Sequence, residues 1–166
     1  RVEASNTRRI VRALEVIDIT GRPFSASLPR YEDIAPTVHI ALRCERRLLD
    51  KSINERARAM FDGGLVEEVE ALIDQGIREG ETAPRAIGYA QALAVIDGTM
   101  SVPEAVDSTA LATRQLASRQ IKWFRRYPRL HWIDVALTET GQCTDSERSR
   151  LTRRAWELVS EHRGVA

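Results

Sequence analysis

The stretch SVPEAVDSTALATRQLASRQIKWFRR, residues 101–126, sets the reading of this sequence. Ser101 and Glu104 stand at capping-box spacing ahead of an apolar-periodic run, so each can satisfy an amide at the start of a helix. One long helix is predicted from about 102 to 126. At about 100° per residue, Arg114, Arg119, Lys122, Arg125 and Arg126 fall within one arc of its second half, and Leu116, Ala117, Ile121, Trp123 and Phe124 within the opposite arc. The basic arc suits phosphate oxygens, which arginine can grip with two parallel hydrogen bonds. The alternative is a solvated face on an ordinary amphipathic helix.

Outward from this helix the chain reads as mainly α with two short strands. Ser5 or Asn6 can cap a helix over about 6–18, stopped by Gly21 and Pro23. Residues 21–36 read as a loop, and a short strand follows at about 37–42. Helices are predicted over about 45–61 (ended by Gly63-Gly64), 65–74 and 83–96, with Pro84 near the start of the last and Asp97-Gly98 closing it. A strand at about 130–135 and a helix over about 146–162 complete the chain. Two lone strands in a helical chain need sheet partners, and the expectation is that these lie upstream. The chain opens on Arg1 and turns helical almost at once, so it reads as a single C-terminal piece, 1–166, of a larger domain.

With 166 residues, 43% of them hydrophobic and 30% charged, the chain can bury a core, which argues against wholesale disorder. Its longest apolar runs, such as Ala92 to Ile96, are far too short to span a bilayer. Two cysteines, Cys44 and Cys143, are too few for a disulfide framework or a zinc site, and a reducing cytoplasm is the expected location. The net charge of +1 conceals segregation. Residues 62–81 hold seven acids against Arg78 alone, while residues 113–126 hold five bases and no acid. The basic block, with Arg8, Arg9 and Arg12 on one side of the first helix, is able to hold a polyanion.

Arg56 is placed oddly, at the edge of the apolar stripe Leu49, Ile53, Ala57 and Met60. A guanidinium there needs an anion, either an acid such as Glu15 or a bound phosphate. In Arg85-Ala86-Ile87-Gly88-Tyr89 a glycine falls inside a predicted helix, at a cost of roughly 1 kcal/mol relative to alanine. Close packing of another backbone or of a ligand would explain it. The sequence holds no Gly-rich phosphate loop, no His/Cys metal spacing and no nucleophile–base pair. His39, His131 and His162 read as structural.

Taken in order, NTRRIVRALEV (6–16), ITGRPF (19–24), INERARAM (53–60), GLVEEVEAL (64–72), RAIGYAQAL (85–93), TRQLASRQIKWFRR (113–126) and HWIDV (131–135) resemble the C-terminal part of bacterial tRNA dimethylallyltransferases, also called tRNA isopentenyltransferases. The resemblance is collinear over 6–135, and the tail after Val135 adds nothing to it. It implies a fold similar to the α/β P-loop nucleotide kinases, with a helical insertion that grips the anticodon stem. It also implies transfer of a dimethylallyl group from dimethylallyl diphosphate to N6 of the adenosine 3′ of a tRNA anticodon, the target base being turned out of its stack. A phosphate loop, Mg²⁺ and a carboxylate general base would serve that reaction, all upstream of Arg1. Mg²⁺ would be bound mainly by that missing half, the complete protein would be a monomer, and this piece alone would be inactive.

By the same resemblance, Arg56 touches the donor diphosphate. The tRNA contacts fall on Arg8, Arg9, Ile10, Val11 and Arg12, on Arg85, Ala86, Ile87, Gly88, Tyr89 and Ala90, and on Thr113, Arg114, Gln115, Arg119, Gln120, Lys122 and Trp123. Many relatives carry glutamine at the place of Arg8 and lysine at the place of Ser118, so base reading at Arg8 and a phosphate contact at Ser118 are not implied. Two other readings share these features: an adenylate isopentenyltransferase acting on a free nucleotide, and a non-catalytic helical RNA-binding module.

Overall fold

Helix α1 spans Thr7–Thr20, two residues beyond its expected end. It belongs to the first of two compact units, residues 1–34 and 35–166. The computed structural model describes residues 7–22 and 32–163, so the caps expected at Ser5 or Asn6 and the stop at Pro23 lie outside the described residues. Within α1, Arg12 donates to Glu15 at 3.3 Å, one turn away.

In the second unit, strand β1 (His39–Arg43) pairs in parallel with β2 (Leu130–Asp134). The two strands are each other's partners, where the sequence reading had looked outside the chain. The register runs from His39 opposite Leu130 to Arg43 opposite Asp134, and Ala41 and Ile133 are the buried residues of the two strands. At the last rung Arg43 grips the Asp134 carboxylate through Nε (2.5 Å) and Nη2 (3.1 Å), which holds that acid below its usual range.

Between the strands lies the helical body: α2 (Arg46–Asp62), α3 (Leu65–Ala71), α4 (Tyr89–Ile96) and α5 (Val102–Phe124). Leu48, Ile53, Ala57 and Phe61 recur at near-helical spacing on α2 and are the residues it buries. The main core gathers Phe61, Leu65, Val69, Ile77, Ala92, Leu93 and Ala105. Each large aliphatic or aromatic side chain among them contributes roughly 1.5–3 kcal/mol by leaving water. A second cluster joins Ile53 and Ala57 of α2 to Ala110 of α5. The predicted capping box is present: Ser101 N–H donates to Glu104 Oε2 at 2.8 Å, and Glu104 N–H donates to Ser101 Oγ at 3.5 Å.

Two predicted helices need correction. The helix expected over 65–74 ends at Ala71 and passes through turns into a short 3₁₀ segment, Ile77–Glu79. The helix expected over 83–96 is a 3₁₀ turn, Ala83–Arg85, followed by a break and then α4 from Tyr89. No described helix is long and apolar enough to cross a membrane.

After β2 the chain turns back on α2 before entering α6 (Asp145–Arg163). In that turn Gly141 N–H donates to the Thr138 carbonyl at 2.8 Å, and Lys51 Nζ of α2 donates to the Glu139 carbonyl at 2.6 Å. Glu147, only 8% exposed, ties α6 to the end of β2. It accepts the Ala136 N–H at 2.7 Å and two hydrogen bonds from Arg150, whose Nη2 also reaches the Asp134 carbonyl at 2.5 Å. The Arg150 guanidinium first, then the Ala136 amide, hold the Glu147 carboxyl down at about 2, against an ordinary value of 4.5. A carboxyl lowered by folding stabilises the native state above its unfolded pKa and loses that contribution as pH falls toward the folded one. The thermal midpoint is therefore expected to fall as pH drops from about 4.5 toward 2, and Glu147→Gln to flatten that part of the profile. A pH series of melting curves for both proteins checks it.

Candidate functional site

Helices α2 and α5 meet through small residues, Ala57 against Ala110, and Thr109 is buried beside them at 2% exposed. Along the same pair lies a hollow of about 180 Å³, lined by Ile53, Arg56, Ala57, Met60, Ile87, Thr109, Thr113 and Leu116. Arg56 is exposed rather than inward, so no unpaired charge is buried. Among the described residues of its own unit it forms no ion pair, and Glu15, one candidate partner, belongs to the other unit. The wall of the hollow is mostly apolar, with two threonines. Thr113 Oγ1 donates to the Thr109 carbonyl at 2.8 Å, whereas the Thr109 hydroxyl has no partner among the described residues. A buried hydroxyl without a partner costs free energy, and a ligand atom could complete it. Sequence reasoning missed Thr109, although Ala105, Thr109 and Ala110 share one helical face.

The segment 85–90 borders the hollow through Ile87. Gly88 does not interrupt a helix. It caps α4 at φ +99°, a conformation that favours glycine, and its N–H donates to Gln91 Oε1 at 2.8 Å. A Cβ there would lie 3.1 Å from Met60 Cε and 3.5 Å from Leu65 Cδ2, so side chains press on it where another backbone or a ligand was expected. The Tyr89 hydroxyl donates to the Glu68 carboxylate of α3, which raises the tyrosine pKa. Arg85 and Ala86 are exposed, and Ala90 is half-buried in the first turn of α4.

On α5 the basic arc loses one member. Arg114 is half-buried and donates to Asn54 Oδ1 of α2, so it spans the two helices instead of facing solvent. Ser118 Oγ accepts from Arg46 Nη1 at 2.8 Å and donates to the Arg114 carbonyl at 3.0 Å. Gln115, Arg119, Gln120, Lys122, Arg125 and Arg126 are exposed. The apolar arc also departs from the projection, since Leu116 is 38% and Trp123 52% exposed.

Past this point α5 ends in an aromatic group. The Trp123 ring lies 5.3 Å from Phe124 and 4.7 Å from Tyr127, and His39 of β1 lies 6.1 Å from Tyr127. They border a second hollow of about 350 Å³. Among the described residues no group of three or more His, Cys, Asp or Glu could hold a metal ion.

The chain belongs to the IPP transferase family, whose sequence profile matches residues 1–127. It is 51% identical over 142 residues to the tRNA dimethylallyltransferase of Streptomyces avermitilis, covering 84% of this chain and 46% of that protein. It is 50% identical over 159 residues to that of Kineococcus radiotolerans, covering 96% and 48%. The solved structure of a full-length tRNA isopentenylpyrophosphate transferase from Bacillus halodurans superposes with a TM-score of 0.67 at 30% identity, over 99% of this chain and 49% of that one. The chain spans about half the length of the relatives it matches.

Proposed function

We propose that this chain acts within a tRNA dimethylallyltransferase of α/β P-loop architecture and supplies part of the donor site and part of the tRNA surface. The observation that carries this reading is Arg56, a guanidinium with no ion pair among the described residues of its unit, on a hollow whose wall is otherwise mostly apolar. Dimethylallyl diphosphate has a matching division into a five-carbon apolar group and a polyanion. In the transfer, the adenosine N6 forms a bond to C1 of the donor and the C1–O bond to diphosphate breaks. The N6 proton passes to a base outside this chain. Arg56 would hold the diphosphate and stabilise the charge that gathers on it as it leaves. The exposed residues of 113–126, with the first helix and segment 85–90, would carry the anticodon stem-loop, chiefly through phosphates.

The test is an acceptor assay with the complete protein and labelled dimethylallyl diphosphate. Label is expected on tRNA bearing adenosine 3′ of the anticodon and not on AMP, with residues 1–166 alone transferring none. Transfer to AMP in preference to tRNA would replace this reading with the free-nucleotide enzyme. Salt-sensitive RNA binding without transfer by the complete protein would leave a binding module.

A further inference from the structure

The aromatic group at the end of α5 stands apart from the donor hollow: Trp123 lies ten residues beyond Thr113, about 15 Å along a helix. Trp123 is held by ring contacts with Phe124 and Tyr127, yet it is 52% exposed. A large apolar ring fixed in place and open to solvent differs from an isolated surface residue because its orientation is already set. Beside it, the hollow bordered by His39, Ile40, Trp123, Phe124, Tyr127 and Leu130 encloses about 350 Å³, at the lower end of the range for small-ligand sites. Lys122, Arg125 and Arg126 occupy the same last turn of the helix and its exit. All three are exposed, and none forms an ion pair with a described residue.

These observations select among occupants. An apolar peptide segment would fill the hollow but would leave the cations unanswered. A lone anion would answer the cations but make no use of the rings. An unpaired nucleotide satisfies both, because its base has a flat π face and its phosphate a negative charge, and stacking on aromatic side chains is the common way of holding unpaired RNA bases. We propose that this aromatic hollow binds one unpaired nucleobase of the RNA, distinct from the adenosine that is modified, with Trp123 as the stacking surface and Lys122, Arg125 and Arg126 on its flanking phosphates. The proposal rests on the RNA-binding reading above and adds to it a second base-holding site.

The experiment uses the complete protein and an anticodon stem-loop RNA, together with RNAs in which each loop nucleotide in turn is made abasic. Trp123→Ala is expected to weaken binding about 10- to 100-fold, the range set by loss of one stacked base. Trp123→Phe, which keeps a stacking ring, should retain most of the affinity. One abasic position other than the modified adenosine should cost the wild type a similar factor and cost Trp123→Ala nothing further, which marks a shared interaction. Unchanged affinity in Trp123→Ala, or losses that multiply at every abasic position, would overturn the stacking site. A Trp123→Ala protein that melts early but binds RNA normally would also overturn it, by showing that the hollow is filled by protein. The RNA reading is checked independently with Arg119→Ala, whose binding should be weaker and less steeply salt-dependent. Failure of the wild type to bind the stem-loop would remove that reading and this proposal together, whereas sound binding with an indifferent Trp123 removes this proposal alone.

Discussion

Arg56→Ala in the complete protein should lower the rate of dimethylallyl transfer by about two to three orders of magnitude, the usual loss when one donor to developing negative charge is removed. The affinity for tRNA should stay within about twofold. This division follows from where the residue sits. Arg56 borders the α2–α5 hollow and has no acid to neutralise it among the described residues of its unit, so its charge is available to an anion. The exposed cations of the α5 end lie several turns away along the helix. Arg56→Lys should recover part of the loss, because a point charge attracts diphosphate but lacks the planar fork that binds two oxygens at once. Single-turnover transfer measured beside RNA titrations separates the two quantities. Equal losses in both would place Arg56 on the RNA path and remove it from the donor.

Gly141→Ala is expected to destabilise the protein by about 3 kcal/mol or more, through two effects that can be read apart. The residue lies at φ +76°, where a side chain costs roughly 1–2 kcal/mol. Its missing Cβ would also stand 2.8 Å from Ser52 N and 3.0 Å from the Leu48 carbonyl oxygen. Both are backbone atoms of α2 and cannot rotate aside, so the turn would have to lift from the helix; overpacking of that kind adds about 1–3 kcal/mol. For a chain of this size the melting temperature should fall by roughly 6–12 °C. Gly98→Ala supplies the comparison. Gly98 has φ +68° but nothing within 4 Å of its Cβ, so it should show the backbone cost alone. Similar melting temperatures for the two variants would mean that the turn is not seated on α2.

The parts of the fold that depend on neighbours in sequence were legible in advance. The α5 start is one, since Ser101 and Glu104 lie within a single turn and need nothing else in order to meet. The apolar spacing of α2 is another. What the sequence hid was set by distant contacts. Arg114 projects with the other cations of α5 and is drawn off by Asn54, sixty positions away on α2. Gly88 fits a continuing helix by spacing alone, and only its positive φ reveals a cap pressed against Met60 and Leu65. The segment after Val135 carries no family motif, yet it is fastened to α2 through Gly141, Lys51 and Arg47.

The candidate site divides the same way. Arg56 could be singled out because a cation beside an apolar stripe is a local anomaly, though the anomaly is milder than it looked once the side chain proved to be exposed. Thr109 gave no such signal. A threonine on a helix with small neighbours is unremarkable until a second helix covers it and leaves its hydroxyl without a partner.

The parallel pairing of β1 and β2 also orders the assembly of the chain. Arg43 and Asp134 meet across 91 positions of sequence. Closing a flexible loop of that length costs roughly 4 kcal/mol in chain entropy, more than a five-residue ladder of two strands can be expected to offset unaided. Once α2 to α5 have packed, most of that loop has become rigid segments joined by short turns, and the remaining search is small. The strands are thus expected to work as a clasp on a body already folded, the Arg43–Asp134 grip forming among the last native contacts and being released among the first.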